Sequence, residues 1–152
     1  MSDHDTPRVA GSFSRAEIEA FVADWYRKLD IHAPAEELVS MVADQVEMQF
    51  PEGTVRGVEE FRAWYEGVIR LFFDELHTVT RVGIVWRDDR CLVDVVVNWQ
   101  ARRWTPPAPR SEWIGFDAYQ RWEVIASPAS GRPVVVRYIV DELRAMPGSP
   151  PL

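Results

Sequence analysis

His77 and Asp117 are the two side chains whose type and setting could place them in proton-transfer chemistry. His77 stands at the start of a long strand-like segment, and an imidazole with an unperturbed pKa of about 6.5 can give or take a proton at neutral pH. The same position equally suits a histidine that caps a loop or faces water. Asp117 interrupts an aromatic run, Trp113-Ile-Gly-Phe-Asp-Ala-Tyr-Gln-Arg-Trp122. A carboxylate there is either solvent-facing or an acid held in an apolar pocket. Strict alternation puts Ile114, Phe116, Ala118, Gln120, Trp122 and Val124 on the more apolar face and leaves Asp117, Tyr119, Arg121 and Glu123 on the other. A β-bulge would change which residues point inward partway along the strand, so both orientations of Asp117 stay open. No metal site is expected, because His4, His32 and His77 lie far apart and Cys91 has no second cysteine beside it. No glycine-rich phosphate loop is present.

The elements that must position these groups divide into a helical half and a strand half. Ser14-Arg-Ala-Glu17 has the form of a capping box, and Ile18, Phe21, Val22, Trp25, Tyr26 and Leu29 follow at helical spacing up to about residue 30. Pro34 suits the first turn of a second, shorter helix carrying Leu38, Val39 and Val42 inward. Val46-Glu-Met-Gln-Phe50 alternates like a short strand and stops at the turn Pro51-Glu-Gly53. Val58, Phe61, Trp64, Tyr65, Val68, Ile69 and Phe72 then repeat at three and four, which predicts a third helix over about 58–73. From His77 onward come long β-rich segments: 78–86 and 90–99 across Asp88-Asp89, the aromatic run around Asp117, and 134 to about 144 after the loop Ser127-Pro-Ala-Ser-Gly-Arg-Pro133. Residues 1–13 and 146–152 are expected to be flexible ends of one domain spanning 14–145.

Composition narrows the class of partner. A chain of 152 residues, 47% hydrophobic, suits one domain with a real core. Acidic residues outnumber basic ones 24 to 17 without a basic block, so a nucleic-acid partner is not expected. No apolar run is long enough to suggest a membrane span. The polar N-terminus and lone cysteine point to a cytoplasmic protein.

Helices first and long antiparallel strands after them describe an α+β domain in which a curved sheet folds over apolar helices. Trp25-Tyr26, Phe50-Pro-Glu-Gly53 followed by Gly57-Val-Glu-Glu-Phe61, and Phe116-Asp-Ala-Tyr119, in this order of elements, resemble the NTF2-like superfamily in its SnoaL-like branch. The resemblance implies three N-terminal helices packed in a mainly antiparallel sheet, a cone-shaped barrel enclosing one apolar pocket, and commonly a homodimer, here through the sheet. Ketosteroid-isomerase-like members pair a tyrosine of the first helix with a protonated aspartic acid of a late strand in an oxyanion hole. By position Tyr26 resembles that tyrosine and Asp117 that acid. The family's base does not carry over: Phe50 stands in its place, Glu47 is near but on an uncertain side of its strand, and Glu52 lies in the turn. His77 is the substitute base. Limonene-epoxide-hydrolase-like relatives use an Asp-Arg-Asp set, which this chain lacks, with Leu92 before Asp94 and Tyr138 where the other acid would be. Asp94 and Asn98 alternate with Val93, Val95 and Val97 and should point outward.

The expected ligand contacts are Trp25, Phe50, Trp64, Trp99, Tyr119 and Tyr138, although seven tryptophans in one chain also serve core and interface roles. Two readings follow. One is a cofactor-independent isomerase, dehydratase or cyclase acting on a small hydrophobic compound, polyketide-, steroid- or aromatic-like, through Tyr26, His77 and Asp117. The other is a noncatalytic binding or dimeric scaffold domain that has lost its base.

Overall fold

The computed structural model describes residues 13–152. The expectations for the N-terminal segment therefore lie, apart from Phe13, outside the described residues. Helix α1 (Arg15–Asp30) begins at the capping box: Glu17 N–H donates to Ser14 Oγ at 3.1 Å and Ser14 N–H to Glu17 Oε1 at 3.3 Å. Its apolar stripe, Ile18, Phe21, Val22, Trp25, Tyr26 and Leu29, is buried. The helix ends in a Schellman turn, with Ala33 N–H on Lys28 O and His32 N–H on Leu29 O, and His32 takes the left-handed conformation at φ 52°.

Helix α2 is only Ala35–Val39. Val42, expected on that helix, instead opens strand β1 (Val42–Phe50), because its neighbour Met41 accepts a main-chain hydrogen bond from Val135 and Val42 pairs with Val135 in the sheet. Strand β2 (Gly53–Arg56), absent from the sequence reading, folds back on β1 across Pro51-Glu52. Helix α3 (Gly57–Leu71) stops before Phe72, which already belongs to β3 (Phe72–Arg87). Strands β4 (Arg90–Arg103), β5 (Glu112–Ala126) and β6 (Pro133–Ala145) complete the set, with Arg87 opposite Arg90 across the Asp88-Asp89 turn.

The sheet order is β2-β1-β6-β5-β4-β3, antiparallel except where β1 lies parallel to β6. The expectation of a barrel is corrected: among the described residues β2 and β3 are the edges of an open sheet, with no ladder joining them. The helices fill the concave side, where Trp25 and Trp122 lie at the centre of the main core with Phe61, Val93, Val95 and Val97. Bulges bend the long strands. On β3 an extra residue falls between Phe73 and Leu76, with Asp74 at φ 50°, and on β6 Asp141 is extra between the partners of Tyr119 and Gln120. The C-terminal tail lies on the sheet, with Met146 N–H on Gly115 O and Arg103 reaching the carbonyl oxygens of Pro151 and Leu152.

Candidate active site

A cavity of about 140 Å³ lies between α1, α3 and the concave face of the sheet. Its deep end is made by Tyr26, Gln120 and Tyr138, all buried, and its outer end by Glu52, Val68 and Leu152. Each polar group at the deep end has a defined direction. Trp122 Nε1 can only donate, and it donates to Gln120 Oε1 at 3.1 Å, which turns the Gln120 amide nitrogen toward the Tyr26 hydroxyl at 2.8 Å. The Tyr26 and Tyr138 hydroxyls share one hydrogen bond of 3.2 Å. Two hydroxyl protons serve one such bond, so whichever tyrosine donates, the other keeps a proton free for an oxygen in the cavity. Burial is the main cause that raises Tyr26 well above the usual tyrosine range, with the neighbouring Tyr138 adding to it. Burial likewise pushes Tyr138 up to about 12, against the opposing effect of its hydrogen bonds. Both remain donors at neutral pH.

His77 forms the adjoining wall. Its Nδ1 lies 2.6 Å from Asp30 Oδ1, and its main-chain N–H is 3.0 and 3.2 Å from the two Asp30 oxygens. Asp30 is the last residue of α1, so the end of the helix and the start of β3 are tied through one carboxylate. A carboxylate accepting from Nδ1 selects the tautomer whose Nε2 carries the free lone pair. The ring lies between Tyr26, at 4.8 Å and 26°, and Trp99, at 6.0 Å and 14°, which fixes its plane. Two residues before His77, Glu75 also lines the cavity and its side chain is only 2% exposed. Glu75 Oε1 accepts from Trp99 Nε1 at 3.1 Å, and Oε2 lies 2.5 Å from His32 Nε2.

Of the sequence-derived candidates, the structure brings Tyr26, His77, Phe50, Trp64, Trp99 and Tyr138 to this cavity. It does not bring Asp117 there. β4 and β5 pair without a register break from Cys91 opposite Val124 to Arg103 opposite Glu112, so β5 keeps strict alternation. The bulge that would have turned Asp117 inward sits on β6, and β5 itself carries no extra residue. Asp117 therefore stands on the outer face, accepting from Asn98 Nδ2 at 3.0 Å, and shares no oxyanion hole with Tyr26. Tyr119 is on that outer face too, with the Arg144 guanidinium 4.9 Å above its ring. Trp25 is fully buried beneath the cavity, packed on Phe61, Trp122 and Tyr138 rather than lining it. Glu47 bonds Gln49 on the side of β1 away from Phe50. Asp94 is exposed, as alternation predicts.

Asp30, Glu75 and Gln120 were missed as site residues. Their signal was present: Asp30-Ile-His32 and Glu75-Leu-His77 each carry an acid and a histidine two apart, and the structure pairs them crosswise. Gln120 is the one polar residue from Ile114 to Val124 on the apolar face of its strand. Among the described residues no group of three or more His, Cys, Asp or Glu is placed to hold a metal ion, and no helix is long and apolar enough to cross a membrane.

The fold has many solved counterparts. A candidate scytalone dehydratase from Novosphingobium aromaticivorans superposes with a TM-score of 0.65 at 20% identity, over 86% of this chain and 83% of that one. A ketosteroid isomerase-like protein from Erwinia carotovora atroseptica gives 0.66 at 16% identity, over 91% and 100%. A candidate dehydratase of the NTF2-like family from Streptomyces avermitilis gives 0.68 at 14% identity, over 82% and 92%. At these identities the likeness is one of fold. A search of curated proteins found no match. The SnoaL-like domain model matches residues 12–138, most of the chain, and the protein belongs to that family.

Proposed function

We propose that the protein is a cofactor-independent acid-base enzyme of the isomerase or lyase type, acting on a small carbonyl compound. The observation that carries this reading is the Asp30–His77 dyad facing the same cavity as the spare hydroxyl proton of the Tyr26–Tyr138 pair. His77 Nε2 is set to take a proton from carbon. The tyrosine hydroxyl is set to stabilise the charge that then develops on the neighbouring oxygen, in a pocket lined mostly by apolar side chains. Asp30 orients the imidazole and stabilises its protonated form without itself changing charge. The role expected of Asp117 passes to Tyr138 and Gln120, and His77 keeps the role of base expected of it.

Size narrows the ligand. A cavity of about 140 Å³ compares with the roughly 150 Å³ apolar cavity that takes benzene, so a compound of about one ring fits better than a steroid or fused polycycle. Relatives of the same fold bearing dehydratase and isomerase names are consistent with this chemistry.

Exchange of the α-protons of cyclohexanone in D2O, followed by NMR, tests the reading. The wild type should accelerate exchange over buffer, and D30N, which removes the acceptor that sets the tautomer, should lower the rate by about 100-fold. Exchange unaffected by D30N would defeat the dyad. The second reading, a binding domain without turnover, is favoured by Phe50, which stacks on Trp64 at 5.5 Å and 20° where ketosteroid-isomerase-like members keep a base. It predicts that cyclohexanone quenches tryptophan fluorescence without any exchange.

A further inference from the structure

Glu75 and His32 are not used by the chemistry above, yet the chain breaks local preference twice to join them. His32 occupies the left-handed position of a Schellman turn, where glycine is the favoured residue, at φ 52°. Asp74 occupies the left-handed position of a β3 bulge, again a glycine position, at φ 50°. The bulge lets both Phe72 and Glu75 face the cavity. The two left-handed turns meet at one contact, His32 Nε2 to Glu75 Oε2 at 2.5 Å, between a side chain that is 2% exposed in the cavity wall and one that is 28% exposed and reaches solvent. The second Glu75 oxygen is held by Trp99 Nε1, whose ring also stacks on His77. A carboxyl in an apolar wall, fixed at both oxygens and connected to bulk water through an imidazole, is the arrangement a renewable proton donor needs.

We propose that Glu75 is the catalytic acid of a β-elimination, resupplied through His32, so that the substrate is a single-ring β-hydroxy ketone and the reaction is loss of water. This rests on the His77 base reading. His77 Nε2 takes the proton on the carbon between carbonyl and carbinol, and the C–H electron pair moves into an enolate whose oxygen accepts the free tyrosine O–H. The enolate then reforms the carbonyl, its pair makes the carbon–carbon double bond, and the carbon–oxygen bond to the hydroxyl breaks. The leaving hydroxyl takes the proton held between His32 and Glu75, delivered by the Glu75 carboxyl, and departs as water. His77 ends with one extra proton and the pair with one fewer. Solvent restores both, the second through His32.

The test uses 3-hydroxycyclohexanone in D2O with the full chain, and NMR reads two rates in one tube: deuterium entry beside the carbonyl, which needs only the base, and formation of cyclohexenone, which also needs the acid. In the wild type both should proceed. E75Q keeps acceptors and donors for Trp99 and His32, and H32G keeps the left-handed turn. Each should lower the ratio of elimination to exchange by about 100-fold for E75Q and about 10-fold for H32G, the expected scale for losing a general acid or its resupply. A fall of both rates in parallel would assign the pair a merely structural role and overturn the proposal, as would an unchanged ratio. Wild-type exchange without elimination would overturn it while leaving the His77 reading intact. Absence of exchange would remove the base reading, and this inference with it.

Discussion

The two faces of β5 use polar side chains oppositely: four in a row, Asp117, Tyr119, Arg121 and Glu123, stand on the outer face, and Gln120 stands alone among apolar residues on the inner one. On the outer face Asp117, Tyr119, Arg121 and Glu123 satisfy one another's neighbours in water: Arg121 pairs with Asp141 at 2.7 Å, and Glu123 is shared by Arg90 and Arg137. On the inner face Ala118 and Trp122 frame one polar residue, Gln120, and its amide directs a buried chain of donors ending at a tyrosine hydroxyl. An acid on the outer face is cheap to keep and says little about chemistry. One amide on the inner face must be satisfied by partners, so its presence says more.

That contrast can be broken at graded strength. Replacing Trp122 with alanine should remove about 3–5 kcal/mol in urea melts, since it leaves a cavity against Trp25, Phe21 and Tyr138 and orphans Gln120. A loss under about 1 kcal/mol would mean the inner face is not the packed one. Raising pH is the next largest perturbation. Tyr138 stays protonated to about 12 in the fold but only to about 10 when unfolded, so its contribution is complete below pH 10 and is lost as pH rises to about 12. For Tyr138 alone this amounts to about 2–3 kcal/mol. Tyr26, also raised, acts in the same direction. Y138F should flatten the alkaline limb of a stability-pH profile, and an unchanged limb would contradict the buried pair.

Replacing Gln120 with leucine should cost about 1–3 kcal/mol by leaving Trp122 Nε1 without its acceptor, and should slow α-proton exchange by freeing the tyrosines to reorient. Opening the exposed Arg121–Asp141 pair with R121A should change stability by at most about 0.5–1 kcal/mol, because both partners remain well solvated. An outer-face loss as large as that of Gln120 would erase the distinction between the faces.

Much of the fold was legible because it is written in short-range pattern. The capping box at Ser14, the helical stripe from Ile18 to Leu29, the alternation of Val93, Val95 and Val97, and the Asp88-Asp89 turn all act within a few residues. The boundary at Val42 and the strand at Gly53–Arg56 were not legible, since each depends on a partner strand far away or on an edge pairing too short to show a period. At the site, His77, Tyr26 and Tyr138 could be picked by residue type and resemblance. Asp30 carries a local signal, an acid two residues before a histidine, but its actual partner is the other histidine, which it meets only when the end of α1 reaches β3 across 47 residues. Asp117 shows the opposite error: strand parity placed it outward, and the resemblance placed it inward. The register of β4 and β5 sides with parity.

The central claim is that proton chemistry resides on the concave wall with His77 and not on the outer face with Asp117. The direct measurement is the rate of α-proton exchange of cyclohexanone in D2O for wild type, H77Q and D117N under one condition. H77Q should lose about 100-fold or more while D117N stays within about twofold of wild type. A D117N loss comparable to that of H77Q, or an H77Q rate equal to wild type, would contradict it.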